Sequence, residues 1–163
     1  MPVWDDTRLF EFLTLEAAQA GLSWITILRK REAYRQAYMG FDPKLLAGLG
    51  AEQVEIWLQN PGLVRNRLKL EASLNNARRF LEIQREFGSF ARYQWAFVGG
   101  QPLQPNRRGG DIPALTELAV AYATDLKKRG FKFLGPVVVY AHMQACGMVN
   151  DHVVDCFRHS QLA

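Results

Sequence analysis

The stretch Lys128-Arg129-Gly130-Phe131-Lys132-Phe133-Leu134-Gly135 decides the fold reading, because two glycines bracket a tight turn between two segments of helical character. Residues 114–128 ahead of it have helical periodicity, and Pro136 opens a second helix that ends near Gly147, proline being favoured at the first helical position. The unit reads as a helix-hairpin-helix over about 114–147. Glycine lets a turn backbone approach a phosphate closely, and the helix start at Pro136 offers unpaired N–H groups at the positive end of its dipole. Lys128, Arg129 and Lys132 add charge. Such a unit holds a nucleic-acid backbone without reading its sequence, with Gly130, Lys132 and Gly135 as the contact candidates. The same residues also suit an ordinary αα-hairpin in which Phe131 and Phe133 only fill core.

Working outward, helical periodicity dominates and β-branched residues cluster only at Val137-Val138-Val139, so the fold class is all-α. Asp5 or Asp6 caps a first helix that carries Leu9, Phe10, Leu13 and Ala17 inward and ends near Gly21. Ser23 caps a second, which Gly40 terminates. Asp42-Pro43 opens a third, residues 51–58 form a fourth, and Asn60-Pro61-Gly62 turns the chain. Leu70, Leu74, Ala77 and Leu81 then define a long amphipathic helix ended by Gly88, followed by a short one marked by Phe90, Tyr93 and Phe97. Residues 99–113, with four glycines and three prolines, form one long loop. Residues 151–157 form a last short helix, and a frayed tail runs over 158–163.

With 163 residues, 48% of them hydrophobic, the chain suits one domain over 1–163, long enough to bury roughly two thirds of its unfolded surface. The net charge of +4 fits a polyanionic partner as well as an ordinary soluble protein. Arg29-Lys30-Arg31, Arg65/Arg67/Lys69, Arg107-Arg108 and Lys127-Lys128-Arg129 are local concentrations, each also readable as a solvated face. Two cysteines make no disulfide framework and no leader-like segment opens the chain, which points to a reducing cytoplasm. The longest apolar run, 137–140, is far short of the roughly 20 residues that cross a bilayer, so no membrane partner is expected.

One residue breaks the apolar pattern of the first helix. Glu16 shares a face with Phe12, Leu13, Gln19 and Ala20, so its carboxylate points inward, just before the Gly21-Leu22-Ser23-Trp24 break. An ionised carboxylate is costly to bury unless a cation or hydrogen-bond donor meets it, so the position calls for a partner, and Trp24 offers a flat apolar wall beside a ligand. His152 and Cys156, spaced i, i+4, can face one metal ion, and imidazole with thiolate suits zinc. A structural zinc needs four ligands, and His142, His159 and Cys146 show no second pair spacing; the alternative is a buried Cys156 with a hydrogen-bonded His152. Asp151 is either a catalytic acid or, by preference, a helix cap. No nucleophilic triad, Gly-x-Gly-x-x-Gly or phosphate-loop pattern is present.

Three stretches resemble one family: residues 15–24 (Leu15-Glu16-Ala17-Ala18-Gln19-Ala20-Gly21-Leu22-Ser23-Trp24), 128–135, and 143–152 (Met143-Gln144-Ala145-Cys146-Gly147-Met148-Val149-Asn150-Asp151-His152). They are similar to the DNA-3-methyladenine glycosylase I family of bacterial alkylation-repair enzymes, and the likeness runs from Pro2 to Cys156. The resemblance implies a helix-hairpin-helix glycosylase fold and hydrolysis of the N-glycosidic bond of 3-methyladenine in double-stranded DNA, by a monomer that needs no organic cofactor. It implies that Glu16 hydrogen-bonds the flipped base, that Trp24 stacks on it, and that Leu22 is an apolar wedge in the duplex; its alternative is plain core packing. It also implies a catalysis in which Asp151 is not the general base, since an alkylated base is already a good leaving group. Family members begin with a segment that holds a Cys, a Tyr-His-Asp and a Glu-Trp-Gly, supplying two zinc ligands and an aromatic wall of the pocket; here Met1-Pro2-Val3-Trp4 follows directly on where it would end. The expectation is that only His152 and Cys156 of the structural zinc set remain, that zinc is incomplete or absent, that Glu16 is more exposed to water, and that activity is weak or absent. The competing reading is a non-catalytic DNA-binding paralogue or an inactive fragment.

Overall fold

Asp5 starts the first helix in a computed structural model of the chain that describes residues 1–105, 107–108 and 112–161. Its carboxylate accepts from the Arg8 backbone N–H at 2.9 Å and so caps α1 (Asp6–Gln19). Asp6, the rival cap, does something else. Its carboxylate accepts from the Gln84 amide at 2.6 Å and from the backbone N–H groups of Phe90 at 2.8 Å and Ala91 at 2.9 Å. These last two open helix α6 (Phe90–Ala96), so Asp6 caps a helix 84 residues further on.

Local signals set most of the remaining helices. α2 (Trp24–Ala37) follows Ser23, whose side chain makes no cap bond and instead pairs with the Thr26 hydroxyl at 2.7 Å. Asp42 caps α3 (Pro43–Ala47) through the Lys44 N–H, and α4 (Ala51–Gln59) is the fourth helix expected. Asn66 caps the long α5 (Arg67–Phe87), which Gly88 ends with φ 86, a left-handed conformation that glycine adopts without steric penalty. α7 (Glu117–Lys128) begins later than residue 114, because Thr116 supplies the cap. α8 (Pro136–Ala145) starts at its proline.

The last helix is a correction. Residues 151–157 do not form it; α9 is Phe157–Gln161, within what the sequence reads as a frayed tail. The reason is competition for the capping groups. The Asp151 carboxylate is taken by Arg107, Tyr140 and Gln144, so it cannot cap residue 152 onward, and the Val154 N–H donates to the Arg107 carbonyl at 2.9 Å rather than to its own segment. The expected loop 99–113 is pinned in the same place: Leu103 makes an isolated bridge to Val149, with the Leu103 N–H on the Met148 carbonyl at 2.8 Å. Residues 106, 109–111 and 162–163, part of the expected loop and tail, lie outside the described residues.

Among the described residues the fold is all-helical, and α1 lies at its centre, packed against α2, α5, α6 and α8. Phe10, Phe80 and Phe90 form an aromatic contact chain between α1, α5 and α6. Glu11, buried on α1, accepts from Arg31 at 2.8 Å and Arg35 at 2.9 Å, which fixes α2 against it. No described helix is long and apolar enough to cross a membrane. Asp6→Ala, which leaves three donors unsatisfied, is expected to lower unfolding free energy in urea by about 2 kcal/mol, and Asp5→Ala by only about 1 kcal/mol; equal losses would refute the tertiary-cap assignment.

Candidate functional site

Glu16 lies near the end of α1, one turn before the break, and is only 5% exposed. No hydrogen bond or ion pair from a described residue reaches its carboxylate, and burial alone pushes its pKa up to about 7. The expectation that Glu16 is more exposed to water is therefore corrected: the folded chain leaves it buried. Cys146, at the end of α8, is close enough that burial first and the Glu16 charge among lesser causes push its thiol up to about 12. Beside it, Gln94 donates to the Cys146 sulfur and accepts from the ring of His142, which is fully buried, leaves Nδ1 unpaired and has its pKa pushed down by burial to about 4.

The break after α1 is a tight turn. Gly21 takes φ 78 and the Leu22 N–H donates to the Gln19 carbonyl at 2.6 Å. Leu22 is 40% exposed, so it does not pack in the core, and Trp24, the first residue of α2, is 36% exposed. Lys69 of α5 reaches across to the end of α1, donating to the carbonyls of Ala18 at 2.9 Å and Ala20 at 2.5 Å.

In the hairpin between α7 and α8 the two phenylalanines part company. Phe131 is buried, whereas Phe133 is 38% exposed and holds φ 59, unusual for a bulky residue. Lys132 and Gly135 are exposed, and a Cβ added at Gly135 would meet nothing within 4 Å. Gly130, by contrast, has φ 86, and a Cβ added there would crowd the Arg79 side chain at 3.2 Å. Arg129 is not available to a ligand: it pairs with Glu86 and Asp125 and lies over the rings of Phe87 and Tyr93. Arg67 and Arg107 are likewise engaged, by Glu55 and Asp151.

Asp151 is buried and held by three donors, which keep its carboxyl below the usual range against the cost of burial. It ties the 99–113 loop to α8, a role neither sequence reading assigned. His152 and Cys156 meet across a turn rather than along a helix, with Nδ1 and Sγ 3.6 Å apart. Among the described residues no group of three His, Cys, Asp or Glu forms around them, so those residues do not complete the four donors of a tetrahedral zinc. Residues 1–4 run over the end of α8, where Val3 bonds to Cys146 and Trp4 stacks on Trp95 at 4.4 Å, and a cavity of about 360 Å³ lined by Met1, Pro2, Gln144, Gly147, His152 and Cys156 lies beside them.

Sequence reasoning missed Lys69, Asn76, Glu11 and the Gln94–His142 pair. A signal existed for one: Asn75-Asn76 in the middle of a long helix is unfavourable unless the side chains bond elsewhere.

A helical domain with a buried carboxylate that no described residue pairs, shortly ahead of one exposed turn, and with a second exposed hairpin, has the chemistry of a ligand-binding domain. Residues 1–159 match the methyladenine glycosylase family, and the chain belongs to it. It is 45% identical over 157 residues to DNA-3-methyladenine glycosylase 1 of Escherichia coli, a match covering 96% of this chain and 84% of that enzyme. Among solved structures it is similar to a 3-methyladenine DNA glycosylase I at 48% identity and TM-score 0.92, covering 96% of this chain and 87% of the other. It also matches the glycosylase of Staphylococcus aureus, whose structure addresses 3-methyladenine recognition, at 39% identity and TM-score 0.93, with 96% and 84% covered.

The raised pKa of Glu16 has a stability consequence. The folded state holds its proton up to about pH 7, against 4.5 in an unfolded chain, so Glu16 removes stability as pH rises between those values. His142 acts oppositely, losing stability as pH falls from 6.5 through about 4. The two nearly offset each other in the wild type. Glu16→Gln is expected to be more stable by up to about 3 kcal/mol at pH 8 and to show the acid-side loss of His142 alone; urea melts at pH 5 and pH 8 that superimpose for the two proteins would refute this.

Proposed function

We propose that the chain is a monofunctional base-excision glycosylase that hydrolyses the N-glycosidic bond of 3-methyladenine in duplex DNA, acting as a monomer in the cytoplasm. The observation that carries this reading is the buried carboxylate of Glu16 with no partner among the described residues. A base alkylated at N3 is cationic while attached to its sugar. Extruded from the stack, it brings the charge that Glu16 lacks, and the exposed indole of Trp24 offers a π-face for it. The membership of the family and the relatives' recognition of 3-methyladenine support the assignment.

Chemistry follows from charge. Leaving of the base turns the cation into a neutral purine while positive charge develops on the sugar, so water attacks a centre of oxocarbenium character and the pocket needs to supply electrostatics rather than a strong acid. Asp151, saturated by three donors, has no part in our scheme. Leu22 is assigned as the wedge that fills the gap left in the duplex, because it is apolar, exposed and at the tip of a tight turn. Gly130, Lys132, Gly135 and the start of α8 are assigned to the phosphate backbone, where the open space at Gly135 admits close approach.

Release of free 3-methyladenine from methylated DNA is the direct test. Pairing with the cation requires the ionised form of Glu16, so kcat/KM is expected to rise with pH through about 7 and level off. Glu16→Gln is expected to lose at least about tenfold in kcat/KM and to abolish that pH limb. Salt-sensitive duplex binding without base release, unaffected by Glu16→Gln but weakened by Lys132→Ala, would instead establish a non-catalytic DNA-binding protein. For the zinc assignment we propose that His152 and Cys156 alone do not retain the ion; elemental measurement on the purified polypeptide is expected to give well under one zinc per chain, and a stoichiometric ion would overturn it.

A further inference from the structure

We propose that helix α5 is a spacer that sets the distance between the wedge turn at 21–23 and the hairpin turn at 130–135, with Lys69 and Asn76 as its positioning residues. The inference rests on the glycosylase reading above, in which both turns meet DNA. Lys69 holds the first turn: its ammonium donates to the carbonyls of Ala18 and Ala20, at the negative end of the α1 dipole and immediately before Gly21. Asn76 holds the second. Its side-chain amide donates to the Lys132 carbonyl at 2.9 Å and its oxygen accepts from the Lys132 N–H at 2.9 Å, closing both hydrogen bonds of one residue at the middle of the hairpin.

Two further contacts and one burial belong to the same device. Asn75 donates to the Gly130 carbonyl at 2.8 Å, Arg79 packs against Gly130 so closely that a Cβ would meet it at 3.2 Å, and Asn76 is 5% exposed. Lys69 and Asn76 are seven residues apart, hence on one face of α5 and separated by about 10 Å along its axis. Both line one narrow cleft, together with Thr14, Ala17 and Phe133, so the end of α1 and the hairpin converge on that face. Neither turn has a regular secondary structure of its own, and a helix is the stiffest element available to hold two such turns in register. A wedge and a backbone clamp work on the same duplex only at a fixed separation, since a misplacement of about 1 Å at a remote support is enough to weaken the productive geometry.

The test separates placing DNA from binding the base. Lys69→Met, Asn76→Ala and the milder Asn75→Ala are compared with the wild type for their Kd toward a duplex carrying a stable abasic-site analogue and toward free 3-methyladenine, after thermal melts establish that each is folded. Lys69→Met and Asn76→Ala are expected to weaken duplex binding about tenfold and Asn75→Ala about threefold. Affinity for free 3-methyladenine should stay within about twofold, and Lys69→Arg, which keeps donors for both carbonyls, should restore duplex binding. The slope of log K against log salt should not change, because Lys69 is spent on carbonyls rather than on phosphate. Folded variants that bind the duplex like the wild type overturn the spacer alone. So do a parallel loss of base affinity, which would mean a general structural role, and a slope reduced by about 1 for Lys69→Met, which would make it a phosphate contact. Should Asn76→Ala fail to fold, Asn75→Ala and Lys69→Met decide the matter. A wild type that binds neither probe overturns the glycosylase reading and the spacer with it.

Discussion

Helix α1 is buried on so many sides that two of its acids, Glu11 and Glu16, have to enter the core with it. Of its 14 residues nine are buried, and four helices pack on it. Glu11 is answered by two arginines of α2, and that pairing aligns the second helix with the first. Glu16, five residues later, is answered by no described residue. Burying a carboxylate without a partner costs free energy that the surrounding packing must offset, and a natural chain that keeps such a group is using it. The fold keeps that deficit: a carboxylate that burial holds protonated up to about pH 7, shortly ahead of a turn that offers an indole and an apolar side chain to the outside.

Selectivity for an alkylated base follows from the same deficit. In the proposed function, a neutral adenine brings no charge to Glu16 and gains little from leaving the stack, whereas the N3-alkylated base is a cation that is less well stacked and already prone to depart. The positive charge of the molecule serves two purposes that are easily confused. Arg31, Arg35, Arg67, Arg107 and Arg129 are committed to acids of the fold. Lys132 is exposed at the hairpin tip and is bonded to α5 through its backbone groups, which leaves its ammonium available to a phosphate. Counting basic residues in a cluster therefore overstates the DNA-binding charge.

Much of the helix pattern was legible because caps and stops act within one turn of the chain. Asp42-Pro43 and Gly88 work through atoms two and four residues away, and the structure places helix ends within a few residues of where these signals fall. The signal failed where a capping group had a stronger distant partner. Asp151 reads as a cap and is captured by Arg107, Tyr140 and Gln144, so the helix it would have started never forms. Asp6 reads as a cap of its own helix and caps α6. Phe131 and Phe133 look alike in sequence, yet one is buried and the other is turned outward with a left-handed backbone.

By itself the sequence determined an all-helical chain, a hairpin bracketed by glycines, and an acid on the inward face of the first helix ahead of a Gly-Leu-Ser-Trp turn; periodicity and capping are local properties, so composition along the chain suffices for them. Only the tertiary structure decided that Glu16 is buried with no partner among the described residues, that Arg129 is spent inside the fold, and that Lys69 and Asn76 tie two distant turns to one face of α5. Each of those depends on which groups meet across 40 residues or more of chain, and the energy of a buried charge or a hydrogen bond is set by the neighbour it finds rather than by the residue that carries it.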